Sequence, residues 1–256
     1  MRGNDAAGRL IVALDFTGAA PALAMARRLR GLVRTAKVGS ALFTACGPAI
    51  IARLQRLGFD IMLDLKFFDI PSTVELSCRA AARHGVSLLT VHAEGEPAML
   101  EAAVRGVRVG VQRARRARPL VLGVTVLTSA DAAPRSSALR ERVLGLAQRA
   151  FDAGCDGVVA SAQEAAALRR RFGYRLRVVC PGIRPACRAE GPTSVLRGAG
   201  RPTSAKRDDQ RRVCTPSEAL AHGADALIIG RPITAAPNPR AAARDILHEM
   251  EDACAC

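Results

Sequence analysis

The chain alternates between short, uninterrupted apolar runs and longer stretches in which apolar residues recur at the spacing of an amphipathic helix. We expect the runs to be buried strands and the longer stretches to be the helices that connect them. The predicted strands are 10–14, 35–38, 60–66, 86–91, 120–127, 157–160, 176–180 and 226–229. The predicted helices are 19–30, 41–57, 73–84, 98–115, 138–153, 162–172, 216–222 and 239–251.

This alternation of buried strands and connecting helices predicts a parallel sheet. Eight strand–helix units in 256 residues match the count and size of a closed (β/α)8 TIM barrel. The alternative is a doubly wound open sheet. No change of composition marks a linker, so we expect a single α/β domain over residues 1–256.

The segment 185–209 interrupts the alternation. It contains several Gly and Pro residues, shows no clear periodicity and follows the seventh predicted strand. Loops of this length inside a compact domain are uncommon and often functional. We therefore expect a long loop insertion here that acts as a mobile lid.

The net charge of the chain is strongly positive, with 38 Lys and Arg against 23 Asp and Glu, or +15. Such a charge could indicate a nucleic-acid-binding protein. However, the arginines are spread over all segments and only 3% of the residues are aromatic. We expect solvated helix faces and no nucleic-acid partner.

Targeting and metal-binding signals are also weak. No apolar run approaches the ~18 residues that a membrane span needs, and the first residues lack a signal-peptide core. The eight cysteines form no C-x-x-C pair. We read them as reduced thiols of a cytoplasmic protein, with no membrane partner and no metal site.

The most informative stretch is IMLDLKFFDIPSTV, residues 61–74. Asp64 and Lys66 are two apart on a predicted strand, so both side chains point to the same face. In a barrel that face is the interior, and chemistry occurs at the carboxyl ends of the strands. Asp69 follows in the loop, Pro71 suits the first position of the next helix, and Thr73 lies in its first turn.

Lysine is rare in this chain, and its positions are informative. Only three of the 38 basic residues are lysines, Lys37, Lys66 and Lys206. Lys37 ends the second predicted strand, so it joins Asp64, Lys66 and Asp69 in a set of alternating charges. A structural ion-pair network is one interpretation. Catalysis is the other, and the lysine count favours it, because an ammonium can release a proton and a guanidinium stays charged.

The seventh and eighth predicted strands end in matching motifs, CPGIR at 180–184 and IIGRP at 228–232. Glycine after a barrel strand lets backbone N–H groups approach an anion, and Arg adds a bidentate clamp. Barrels often bind phosphate in the loops after strands seven and eight. The pair of motifs predicts a phosphorylated small-molecule substrate.

Together these residues closely resemble the orotidine 5′-monophosphate decarboxylase family, in its shorter bacterial form. The resemblance extends over nearly the whole chain and depends on IVALDF, AKVG, LDLKFFDIPSTV, LLTVHAEG, LGVTVLTS, CPGIRP, DDQRRVCTP and ALIIGRPIT. The D-x-K-x-x-D-I-P-x-T string is highly specific. The resemblance implies formation of UMP in de novo pyrimidine synthesis, with neither a metal nor an organic cofactor.

The resemblance also implies roles for individual residues. Lys66 would donate the proton, within a charge array completed by Lys37, Asp64 and the Asp69 of a second subunit. Asp15 and Lys37 would hold the ribose, and Thr73 would reach across a homodimer. Thr128 would lie near the pyrimidine, His92 would support the site, and the phosphate end would be bound by Arg184, Gln210, Gly230 and Arg231.

Three features depart from the family pattern. The gap between CPGIR and DDQRR is longer than usual, Glu94 and Glu96 stand where small residues are common, and Phe68 replaces a frequent His. The nearest alternative is a related barrel that uses Mg²⁺ on an acidic pair to act on sugar phosphates. That group shares D-x-K-x-x-D but lacks the I-P-x-T continuation.

Overall fold

The structure, a computed structural model, describes residues 6–112, 117–127, 136–185 and 212–255. Its parallel strands close into one barrel in the order β1 to β8, which confirms the predicted (β/α)8 fold. The strands are β1 (Leu10–Ala13), β2 (Thr35–Gly39), β3 (Asp60–Phe67), β4 (Leu88–His92), β5 (Leu120–Val124), β6 (Gly157–Val159), β7 (Arg177–Cys180) and β8 (Ala226–Ile229).

The helices surround this barrel. They are α1 (Ala6–Arg9), α2 (Ala19–Leu29), α3 (Ser40–Cys46), α4 (Ala49–Arg56), α5 (Pro71–Arg83), α6 (Pro97–Val111), α7 (Ser137–Asp152), α8 (Ala162–Phe172), α9 (Pro216–Ala221), α10 (Arg231–Thr234) and α11 (Pro239–Ala255). A short 3₁₀ helix covers Gly173–Arg175. Along the described ranges, no helix is both long and apolar enough to cross a membrane.

The helix predicted over 41–57 is wrong in one respect, because it is two helices. The φ of Gly47 is 60°, which ends α3 after Cys46, and the N–H of Gly47 bonds to Phe43 O. Pro48 then precedes α4 as its N-cap. A left-handed glycine followed by proline stops one helix and starts another.

The core has two layers. A large cluster fills the space between the barrel and its helices. A smaller cluster fills the barrel itself and includes Ile11, Met62, Leu88, Leu122 and Ile228. Interior positions of β3 and β4 therefore begin apolar, and polar residues occupy later positions of the same two strands.

Several predictions concern residues outside the described ranges. Thr128, Gln210 and almost all of the predicted insertion at 185–209 belong to this group, so the lid stays a prediction.

Candidate active site

The charged residues singled out in the sequence meet at the carboxyl ends of the first three strands. Asp15 follows β1, Lys37 lies in β2, and Asp64 and Lys66 lie in β3. The strand register places Ala13 beside Lys37 and Gly39 beside Asp64. Active sites of (β/α)8 barrels occur at this end of the strands.

These four side chains form a chain of alternating charges. Lys37 Nζ lies 2.7 Å from Asp15 Oδ1 and 3.5 Å from Asp64 Oδ2, and Lys66 Nζ lies 2.9 Å from Asp64 Oδ1. The side chains of Lys37 and Asp64 are 10% and 11% exposed, whereas those of Lys66 and Asp15 are 34% and 61% exposed. The chain of charges thus has a buried centre and two accessible ends.

Asp64 is the most constrained member of this array. Burial raises its pKa, but the charges of Lys37 and Lys66 and the hydrogen bonds from Lys66 and Thr90 outweigh burial, so that the pKa is lowered. Asp64 is therefore a carboxylate at neutral pH. A fixed carboxylate between two ammonium groups orients both of them.

The strand that carries Asp64 and Lys66 is irregular at this point. The backbone of Lys66 is left-handed, with a φ of 51°. The pairing of β3 with β4 shifts between Leu63 and Phe67, which marks a bulge. Bulges re-aim side chains and are frequent next to active sites. The strand predicted over 60–66 is confirmed as β3, but nothing in the sequence indicated the bulge.

Gly39 leaves room for the array. A Cβ at this position would lie 3.1 Å from Lys37 Nζ and 3.2 Å from Asp15 Oδ1, closer than most Cβ contacts. The absence of a side chain therefore lets the Asp15–Lys37 pair form directly above the end of β2.

Asp69 and Thr73 are placed differently. Both side chains are exposed, and Asp69 Oδ1 accepts a hydrogen bond of 2.6 Å from Ile70 N. Pro71 stands in the first turn of α5, as expected from the sequence. Among the described residues of one chain, the ion pairs of the array therefore include Asp15, and Asp69 takes part in none of them.

The two glycine–arginine motifs lie after neighbouring strands. Arg184 follows β7, where Gly182 has a φ of 76° and Ile183 forms a short parallel bridge with Cys214. Gly230 directly precedes α10, and a Cβ there would lie 3.4 Å from Ala13 Cβ and 3.8 Å from Asp15 Oδ2. The strand order therefore brings Arg184 and Arg231 to the same end of the barrel as the charge array.

A cavity of about 1130 Å³ opens at the opposite end of the barrel. Its lining comes from the starts of the strands and includes Arg9, Arg34, Leu88, Asp156 and Arg177. The active sites of (β/α)8 barrels lie at the other end, where the strands terminate, so this cavity is not the candidate active site. Among the residues that the structure describes, no group of three His, Cys, Asp or Glu side chains is arranged to hold a metal ion.

Comparison with known proteins agrees with this geometry. Residues 8–246 match the model of the orotidine 5′-phosphate decarboxylase / HUMPS family. The chain belongs to this family. It is 47% identical over 247 residues to orotidine 5′-phosphate decarboxylase of Halorhodospira halophila, covering 94% of this chain and 95% of that protein. It is 45% identical over 246 residues to the enzyme of Chromobacterium violaceum, covering 94% and 91%.

A solved structure of orotidine 5′-phosphate decarboxylase from Lactobacillus acidophilus has the same fold, with a TM-score of 0.77 and 34% identity. The match covers 95% of this chain and 99% of that one. The family description includes a second group, HUMPS, whereas these relatives carry the decarboxylase name.

Two departures from the family pattern now have a structural account. Glu94 forms an ion pair with Arg142 of α7, and Arg149 Nη1 donates to Glu94 O at 3.3 Å. The ring of Phe68 packs edge-on against His92, with 5.7 Å between ring centroids. Burial lowers the pKa of His92. The negative charges of Glu94 and Asp64 oppose this shift, and the positive charge of Lys66 adds to it. His92 thus lies beside the array as a neutral ring.

The sequence interpretation missed two buried polar residues at this end. Thr90 Oγ1 bonds to Asp64, and Arg212 Nη1 lies 2.9 Å from Glu164 Oε1. Arg212 Nη2 also donates to the carbonyl oxygens of Val126 and Leu127, at 3.1 Å and 3.2 Å. Burial raises the pKa of Glu164, although Arg212 opposes this shift. The only signal in the sequence was that Arg212 follows closely after the DDQ motif, and this gave no basis for choosing it among the many arginines of the chain.

Proposed function

We propose that this chain converts orotidine 5′-monophosphate to UMP and CO₂, the decarboxylation step of de novo pyrimidine synthesis, with no metal or organic cofactor. The relatives named as this enzyme support the reaction. The observation that carries the proposal is the alternating chain Asp15–Lys37–Asp64–Lys66 at the carboxyl ends of the strands.

Lys66 is the proposed proton donor. When the bond between C6 of the pyrimidine and its carboxylate breaks, CO₂ leaves and the electron pair stays on C6. A fixed ammonium next to that carbon stabilises the developing negative charge. Transfer of one proton from Lys66 Nζ then forms the C6–H bond of UMP and leaves a neutral amine, which solvent protonates again. The 34% exposure of the Lys66 side chain supports access to both substrate and solvent.

The remaining residues are proposed to bind the substrate. Asp15 and Lys37 would bond the ribose hydroxyls, and the accessible carboxylate of Asp15 supports this role. Thr128 would contact the pyrimidine. The phosphate-end group would be Arg184, Gln210, Gly230 and Arg231. Binding energy from the remote phosphate would then hold the reacting ring in place.

The active form is proposed to be a homodimer in which Asp69 and Thr73 serve the neighbouring site. Both side chains are exposed, and neither forms one of the ion pairs of the array in its own chain. Large apolar side chains nearby are also exposed, with Phe68 at 61%, Ile70 at 63% and Leu76 at 61%. Exposed apolar patches with polar rims are typical of protein interfaces.

We propose the cytoplasm as the compartment. Cys46, Cys78, Cys155, Cys180 and Cys214 carry free thiols, which a reducing compartment maintains.

The decisive test is an absorbance assay on chelator-treated protein. Mixing this protein with orotidine 5′-monophosphate should give a continuous loss of absorbance and a product that co-elutes with UMP. The Lys66→Ala variant should give neither. Activity that disappears with the chelator and returns with Mg²⁺ would contradict the metal-free part of the proposal, and a folded protein with no activity on orotidine 5′-monophosphate would contradict the reaction itself.

A further inference from the structure

Thr90 contacts two neighbouring members of the charge array, Asp64 and Lys66, at once. It is fully buried in β4. Its hydroxyl donates to Asp64 Oδ1 across 2.9 Å and accepts the backbone N–H of Lys66 across 3.0 Å. A threonine hydroxyl has one donor and two acceptor lone pairs, so both bonds form together.

The position of Thr90 follows from the bulge in β3. Leu63 pairs with Leu89 and Phe67 pairs with Val91, so a single residue of β4 faces a longer stretch of β3. A bulge removes ladder partners from the longer strand. The Thr90 hydroxyl supplies the acceptor that the N–H of Lys66 would otherwise lack.

Lys66 needs this support because its backbone is strained. Its φ of 51° lies in the left-handed region, which residues other than glycine rarely adopt. Such conformations persist where the surrounding structure holds them. Threonine is well suited to this task, since its branched Cβ restricts the side-chain rotamer and therefore fixes the hydroxyl.

We propose that Thr90 is a positioning residue of the decarboxylation, a role that rests on the function proposed above. Its hydroxyl fixes the Asp64 carboxylate and the Lys66 backbone in one geometry, and so sets where the Lys66 ammonium stands relative to the reacting carbon. The residue acts through Asp64 and Lys66 and makes no contact with substrate.

The chain offers a matched control for this proposal. Thr125 is also buried, and its hydroxyl donates to Val159 O at 3.0 Å. Its bond therefore joins the Thr125 side chain to the backbone of β6 and involves no charged group. Thr90→Val and Thr125→Val remove the same hydroxyl from the same kind of buried site.

The first experiment compares Thr90→Val, Thr90→Ser and Thr125→Val in steady-state kinetics. Misplacement of a reacting group lowers kcat by up to about 100-fold, so we expect a fall of about 10- to 100-fold in Thr90→Val. KM and UMP affinity should stay within about threefold, because the phosphate contacts are distant. Thr90→Ser should recover most of kcat, and Thr125→Val should keep it.

The second experiment follows the titration of Asp64 and does not depend on activity. The charged groups around Asp64 are Lys37 and Lys66, with Asp15 on the far side of Lys37 and His92 on β4. The Thr90 hydrogen bond is one of the interactions that lower the pKa of Asp64. Its carboxyl ¹³C resonance should therefore titrate at higher pH in Thr90→Val and be unchanged in Thr125→Val.

The outcomes separate this proposal from the proposed function. A Thr90→Val protein with normal kcat and normal Asp64 titration would overturn the positioning role alone. An equal loss of kcat in Thr125→Val would show that general strand packing is responsible, which also overturns it. An inactive wild-type protein would refute the function, and the Asp64 titration would still decide whether Thr90 controls that carboxylate.

Discussion

Lys66 Nζ donates to Asp64 Oδ1 across 2.9 Å from a backbone that is left-handed at Lys66 itself. Among the described residues, Lys66 is the one non-glycine residue with a positive φ. Strained backbone of this kind concentrates at functional sites, where neighbouring contacts hold it in place. The strain thus points to the same residue that the lysine count and the charge array indicate.

Substitution of Lys66 by Arg tests the proton-donor role directly. The positive charge is kept, so a merely electrostatic partner of Asp64 would tolerate the change. A guanidinium has a pKa above ~12 and does not release its proton on demand. We expect kcat to fall at least ~1000-fold, equivalent to about 4 kcal/mol of transition-state stabilisation.

Melting temperature and UMP affinity are the controls for Lys66→Arg, and both should change little. An active Lys66→Arg enzyme would refute the proton-donor assignment, even if the reaction itself is as proposed.

Gly39→Ala should disturb the Asp15–Lys37 pair. The new Cβ would lie 3.1 Å from Lys37 Nζ and 3.2 Å from Asp15 Oδ1, so at least one of these groups must move. Misplacement of a positioning group costs up to about 100-fold, and we expect kcat/KM to fall about 10-fold or more. Steady-state kinetics provide the measurement.

Gly145→Ala is the control for this change. Gly145 lies in α7, and a Cβ there meets nothing within 4 Å. Alanine should stabilise this helix by roughly 0.5–1 kcal/mol and leave kcat/KM unchanged. Equal kinetic losses in the two variants would contradict a specific role for Gly39.

The sequence was sufficient to predict the fold because local signals repeat along the chain. Apolar runs alternate with amphipathic stretches, and one domain-sized barrel accommodates them all. The failures have particular causes. Gly47 and Pro48 act together to split one predicted helix, and the bulge at Lys66 depends on how β3 pairs with β4.

The structure brings together predicted residues that are rare in this sequence, whereas the buried polar residues that the sequence interpretation overlooked are of common types. Lys37 and Lys66 stand out in a chain with three lysines. Thr90 and Arg212 do not stand out, since threonine often fills strands and arginine is abundant here. Their importance comes from burial and partners, which depend on contacts with distant segments.

A shared active site in a homodimer predicts complementation. Lys66→Ala and Asp69→Ala proteins should each be inactive, but a heterodimer contains one site with both residues intact. Mixing should restore up to about a quarter of wild-type activity, as expected for random exchange in a twofold dimer. The assay measures activity after subunit exchange.

The control mixes Lys66→Ala with Asp64→Ala, whose lost residues belong to the same chain's site. That mixture should stay inactive. If the mixture of Lys66→Ala and Asp69→Ala also stays inactive after subunit exchange has been demonstrated, the proposal that the two subunits share an active site is wrong.

Arg212→Met should destabilise the barrel. Arg212 Nη1 lies 2.9 Å from the Glu164 carboxylate, and the two side chains are 1% and 6% exposed. The change therefore leaves a buried carboxylate without its charged partner. Breaking a buried pair costs about 3–5 kcal/mol. A double variant with Glu164→Leu removes the unpaired charge and should recover part of this loss. Urea denaturation measures the free energy of unfolding.

Arg34→Met is the matched control, because the Arg34–Asp60 pair is 65% and 44% exposed. Exposed pairs contribute about 0–1 kcal/mol, so this variant should unfold close to wild type. A loss from Arg212→Met no larger than that of Arg34→Met would show that Glu164 finds another partner.

The contribution of Asp64 to the stability of the protein should depend on pH. Because the folded state lowers the pKa of Asp64 from 3.8, the carboxylate stabilises the protein above its unfolded pKa. That stabilisation is lost as pH falls through the lower, folded pKa. Asp64→Asn should therefore cost about 2–3 kcal/mol near neutral pH, where hydrogen bonds to a charged group are lost. The difference from wild type should shrink below pH ~4.

Denaturation curves of both proteins between pH ~7 and ~3.5 span the window set by a lowered aspartate pKa. Asp60→Asn serves as the control, since its carboxylate is paired with exposed Arg34 outside the array. Near neutral pH it should differ little from wild type, because exposed pairs contribute about 0–1 kcal/mol. If the penalty for Asp64→Asn stays constant down to pH ~3.5, protonation of Asp64 removes no stability in this window. The prediction that Lys37, Lys66 and Thr90 stabilise the ionised carboxylate would then be wrong.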